Sequence, residues 1–141
     1  MQAQPSPLQR AFTLVEMLIV IAVIGIMAAL VISSFSNAAQ DTRRVVSRQQ
    51  QAAVQNAVNA WVNSRSSTAG LAGARTAYNA ATTSLAKLQL VAGYLDDTTT
   101  AQFVGNTSNT AQVQSAALKK TSQYLELSAW AANSYPKVEL K

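Results

Sequence analysis

The side chains able to do proton or metal chemistry are few and scattered. Acids number six in 141 residues: Glu16, Asp41, Asp96, Asp97, Glu126 and Glu139. Histidine and cysteine are absent, which removes the commonest general base, the commonest zinc ligand, any thiolate site and any disulfide. Only Asp96 and Asp97 stand together. With nearby threonines they are weak candidates for a calcium loop, but calcium takes about six to eight oxygens, and a solvated polar turn after Leu95 is the better reading. No catalytic residue can be named, no metal or cofactor is expected, and an enzyme is disfavoured.

Glu16 is the acid whose position carries information. It is the one charge in FTLVEMLIVIAVIGIMAALVI, residues 12–32. About 20 apolar residues cross a bilayer core as a helix, and a soluble helix is not apolar all round. The segment therefore reads as a transmembrane helix. A carboxylate at the centre of such a helix costs about 2.5–3.5 kcal/mol on insertion scales; this one lies near an end. Two roles fit. In Thr13-Leu14-Val15-Glu16 the spacing is that of a capping box, with Thr13 capping the helix and Glu16 reaching back to a free N–H. Alternatively, Glu16 takes a cationic partner, such as an α-amino group freed by cutting the chain before Phe12. Spacing alone leaves both open.

A secretory signal peptide, with Ser36 and Ala38 before a cut, fits less well, because its apolar region is shorter, about 7–15 residues, and free of acid. Ala22, Gly25, Ala28 and Ala29 lie three to four apart, a strip along which helices can approach closely; small residues are also simply frequent in membrane helices. Gly25 costs about 1 kcal/mol of helix propensity relative to Ala.

The string RAFTLVEMLIVIAVIGIMAALV, within residues 10–40, resembles the N-terminal signature of type IV pilins and the pseudopilins of type II secretion. The resemblance implies a leader at residues 1–11, cleavage by prepilin peptidase between Ala11 and Phe12, and N-methylation of Phe12. It implies that Glu16 pairs with the terminal amine of a neighbouring subunit, and that Gly25 is a helix-softening glycine. Ala11 stands where the family usually has Gly. Ser33-Ser34-Phe35 stands where many members have a proline kink. Counting charges, Arg10 against Arg43, Arg44 and Arg48, would put the N-terminus outside; the resemblance instead implies a cytoplasmic leader. It further implies a bacterial inner-membrane subunit handled by an assembly platform and moved into a periplasmic or surface filament.

The elements that position this segment follow. Residues 38–63 hold no Gly or Pro. Arg44, Arg48, Gln51, Gln55 and Asn59 recur on one polar face, with Val46, Ala53, Val54, Ala57, Ala60 and Trp61 opposite. Residues 12–63 as one helix would be about 78 Å long. Residues 64–73 read as a Ser/Gly loop. A second helical pattern runs through Leu71, Ala74, Tyr78, Ala81, Leu85, Leu88 and Ala92, weakened by Thr82, Thr83 and Ser84 and ended by Gly93. Residues 96–110 read as loop, with a short strand at 102–104. Leu125, Leu127 and Ala129, and later Val138 and Leu140, alternate with polar neighbours like strands joined by a hairpin connection.

The expected fold is therefore α+β: a long N-terminal helix on a small C-terminal antiparallel sheet of three or four strands. The expected divisions are a leader (1–11), a transmembrane and assembly helix (12–36) and a periplasmic or extracellular domain (37–141). The net charge of +5 is thinly spread, with Arg43, Arg44, Arg48 and Lys119, Lys120 as its clusters. Three functions fit. One is a structural filament subunit. Another is a tip subunit catching DNA or a surface through those basic residues. The third is an ordinary single-pass membrane protein whose Glu16 is only a cap.

Overall fold

The structure is a computed structural model and describes residues 12–141. The chain divides at Ala39/Gln40 into two compact units. Helix α1 (Leu14–Ala80) contributes to both.

In the first unit the described residues are exposed throughout. The helix here carries the apolar run, with side chains such as Leu14, Ile21 and Leu30 about two-thirds exposed or more. It is long and apolar enough to cross a membrane. The backbone is helical through Ser33; the interruption in α1 comes at Gly70. Ser34 Oγ donates to Leu30 O at 3.1 Å, the back-bonding expected of serine in an apolar helix.

The second unit, Gln40–Lys141, holds the core. Val54, Ala57, Val58, Trp61 and Val62 recur at helical spacing and are buried. At Gly70 the backbone takes φ 69°, ψ 167°, a region essentially restricted to glycine. The break redirects the chain. Trp61 and Tyr78 are 17 positions apart, which in a straight helix is about 25 Å, yet their ring centroids lie 6.0 Å apart. The expected loop at 64–73 is thus confined to one residue, with helix on both sides.

The expected second helix is overturned in the same region. Residues 71–80 complete α1, and a new helix, α2 (Ser84–Leu90), starts where Thr83 Oγ1 accepts from Ala86 N at 3.1 Å. The threonines that depress helix propensity act here as a cap, which is what short hydroxyl side chains do best. Gly93 does not end a helix but lies within a turn of 3-10 helix, Ala92–Tyr94. The strand expected at 102–104 is also replaced. Asp96 Oδ2 accepts from Thr99 N at 3.1 Å and opens α3 (Asp97–Asn106), which buries Phe103. A final helix, α4 (Ala116–Lys120), is capped by Ser115.

Strands β1 (Leu125–Leu127) and β2 (Val138–Leu140) pair antiparallel, Leu125 opposite Leu140 and Leu127 opposite Val138. The sheet has two strands rather than three or four, because other groups complete its edges. On the β1 side Leu125 exchanges both backbone bonds with Val113 (2.8 and 2.9 Å), and Leu127 donates to Ser84 Oγ (3.1 Å) and accepts from Lys87 Nζ (3.0 Å). On the β2 side Val138 N donates to Gln55 Oε1, and Val138 O accepts from Gln51 Nε2, both at 2.8 Å. Side chains thus do much of what neighbouring strands would do for buried backbone groups.

Candidate assembly site at the start of the long helix

The site begins where the helix begins. Phe12 and Thr13 precede α1 and are not helical; Leu14 is its first residue. Thr13 O accepts the first intrahelical bond, from Met17 N, at 3.3 Å. Thr13 Oγ1 accepts from Glu16 N at 3.2 Å. Glu16 Oε2 in turn accepts from Thr13 N and from Thr13 Oγ1, each at 3.3 Å. This is a reciprocal capping box: two amides that a helix start leaves without partners are both satisfied.

The arrangement also orients the carboxylate. Oε2 is held against Thr13, while Oε1 makes no hydrogen bond among the described residues. Glu16 is exposed, and so are its neighbours Phe12 (76%), Val15 and Met17. One carboxylate oxygen is therefore fixed by its own helix and the other is available to a donor from outside. Cap and docking group are compatible roles of one side chain.

Gly25 is a helical position where an added Cβ would meet nothing within 4 Å. Its smallness is not demanded within the chain, so any packing reason lies with another molecule. Ala11, the residue before the expected cut, lies outside the described residues.

The other candidates fall elsewhere. Asp96 is the N-cap of α3; hydrogen bonds from the Thr98 hydroxyl and then the Thr99 amide hold its carboxyl below the ordinary aspartate value. Asp97 lies in the first turn of that helix, where negative charge meets the positive end of the dipole. Arg43, Arg44 and Arg48 are exposed on α1. Arg44 lies 3.9 Å from Asp41, a pair too exposed to contribute much stability. Lys119 and Lys120 occupy the last turn of α4, where cations suit the helix end.

Sequence reasoning missed the polar residues that build the domain. Gln51 and Gln55 lie on the expected polar face of the helix, and both are half-buried against β2. Their spacing of four was the available signal: it puts two amides in a row along one strand. Lys87 gave no signal at all. It is 6% exposed, and its ammonium sits 5.5 Å from the Tyr78 ring centroid.

Residues 7–32 match the model of the prokaryotic N-terminal methylation motif. That motif is the signature of type IV pilins and pseudopilins. The chain thus carries the N-terminal signature of a pilin-like or pseudopilin precursor, and its long helix followed by a small antiparallel sheet is an α+β, pilin-like fold. The motif, and among the described residues one helix long and apolar enough to cross a membrane, fit membrane anchoring. Comparison with curated proteins and with solved structures gives no match.

Proposed function

We propose that the chain is a structural subunit of a type IV pilus-like filament or a type II secretion pseudopilus. In this reading residues 1–11 are a cytoplasmic leader, and prepilin peptidase cuts between Ala11 and Phe12. The new terminal amine on Phe12 is methylated. Residues 12–36 anchor the subunit in the inner membrane, and 37–141 form its domain on the far side. An assembly platform in that membrane then moves the subunit into the filament.

The observation that carries the reading is the half-used carboxylate of Glu16. Oε2 is taken by Thr13, and Oε1 has no hydrogen-bond partner among the described residues. An acid in apolar surroundings gains most from a cation that arrives with it. The terminal amine of a neighbouring subunit is such a cation, and pairing sets the register of one helix on the next. The exposed apolar face around Glu16 supplies the surface that such packing covers.

Reversing the charge tests this. Glu16→Lys keeps the apolar run and inserts in the membrane, but places two cations where one pair belongs. The expected result is normal membrane protein and no sheared filaments. Filaments at wild-type yield from Glu16→Lys would remove the docking role.

A further inference from the structure

Far from the helix start in sequence, the β1–β2 connection and the part of α1 after Gly70 enclose a pocket of about 350 Å³. That is within the lower range of small-ligand sites. Its walls include Leu71, Arg75, Trp130, Asn133 and Tyr135.

Two features make it more than a surface dent. The first is a rigid aromatic platform. Tyr135 is 59% exposed and lies parallel to Trp130, centroids 5.8 Å apart at 23°. Trp130 is 4% exposed and meets Tyr78 edge-on at 6.3 Å and 80°. Asn79 clamps the Trp130 backbone: Nδ2 donates to its carbonyl at 3.0 Å, and Oδ1 accepts from its amide at 2.9 Å. The exposed ring is thus backed by a ring held by burial and by the Asn79 hydrogen bonds, so little ordering is needed on binding.

The second feature is unopposed charge. Arg75 is half-buried in this largely apolar recess. The ion pairs among the described residues use Arg44 and Lys141, not Arg75. None of the chain's acids lines the pocket. Asn133 adds an amide able to donate and accept.

We propose that this pocket binds the ring of an acidic sugar, such as a uronic acid at the end of a polysaccharide. The C–H face of a pyranose carries slight positive charge and suits the electron-rich face of Tyr135. Its carboxylate takes the two parallel N–H donors of Arg75. Asn133 takes a ring hydroxyl. Single-stranded nucleic acid fits less well, because it needs successive stacking faces along a basic groove; here the second ring is buried behind the first.

The test uses the full-length protein in a detergent without sugar headgroups, titrated with methyl glucuronide, methyl glucoside and oligothymidylate while the indole N–H resonances are followed by NMR. The expected result is a saturable shift of Trp130 with Trp61 nearly still, at least tenfold weaker with the neutral glucoside. Arg75→Gln and Tyr135→Ala should each weaken glucuronide binding about tenfold or more. An unmoved Trp130 in protein whose Trp61 resonance reports a folded core would overturn the proposal. So would equal binding by Arg75→Gln, or a response to oligothymidylate alone.

Discussion

Thr13 and Glu16 satisfy each other's ends of the helix: Glu16 Oε2 accepts from the Thr13 amide and hydroxyl at 3.3 Å, and Thr13 Oγ1 accepts from the Glu16 amide at 3.2 Å. The cap leaves Oε1 over, so capping and docking can be separated by substitution. Glutamine also serves in a capping box but carries no charge. Glu16→Gln is expected to keep the helix start and lose filament yield. Thr13→Ala is expected to cost the cap, about 0.5–2 kcal/mol, and retain assembly. The measurement is sheared filament yield per membrane-inserted subunit. Equal losses in both variants would mean that the cap alone matters.

The tie between α1 and β2 gives a second expectation. Gln55 accepts from Val138 N at 2.8 Å and donates to Pro136 O at 3.1 Å. Gln55→Ala leaves both groups without that partner in a half-buried place. A loss of about 1–3 kcal/mol is expected, read as a lower midpoint in thermal unfolding of the full chain followed by near-ultraviolet circular dichroism. Asn56→Ala, at an exposed neighbouring position, should change stability by less than about 0.5 kcal/mol.

Tyr78 is expected to weaken the domain at alkaline pH. Its hydroxyl is buried with no hydrogen-bond partner among the described residues, and burial pushes the phenol well above its ordinary value. The folded chain keeps a proton that the unfolded chain releases above about pH 10. Tyr78 therefore leaves stability intact below about pH 10 and lowers it as pH rises beyond. Lys87 acts the other way. Burial lowers its ammonium, with Glu126 partly opposing. Stability accordingly rises with pH through the folded lysine's value, until the unfolded lysine also titrates near 10.4. Above about pH 10.5 the Lys87 contribution is complete, and the losses left are those of Tyr78 and of Lys141, whose ammonium Glu126 and Glu139 hold above its ordinary value. Tyr78→Phe should match or exceed wild-type stability at neutral pH, since it removes an unpaired buried hydroxyl. It should also flatten the fall in unfolding midpoint above pH 10.5. An unchanged alkaline slope would show that another group sets it.

The helix start was legible because its information is local. Apolar length, one acid and a Thr-x-x-Glu spacing lie within a few turns, and the capping geometry follows from them. The two strands were legible from alternation at 125–127 and 138–140. What was illegible depends on distant partners. Thr83 and Asp96 look like helix breakers until one knows that helices start immediately after them. The sheet looked larger because edge groups that neighbouring strands usually satisfy are taken by Gln51, Gln55, Ser84 and Lys87. Residues separated by up to 87 positions meet there, and no periodicity reports such a meeting.

The most direct test of the central proposal is the N-terminal mass of the protein purified from cells with an active prepilin peptidase. The proposed processing gives a chain that starts at Phe12 and carries one additional methyl group on its terminal amine. A chain that retains residues 1–11 in those cells would contradict it.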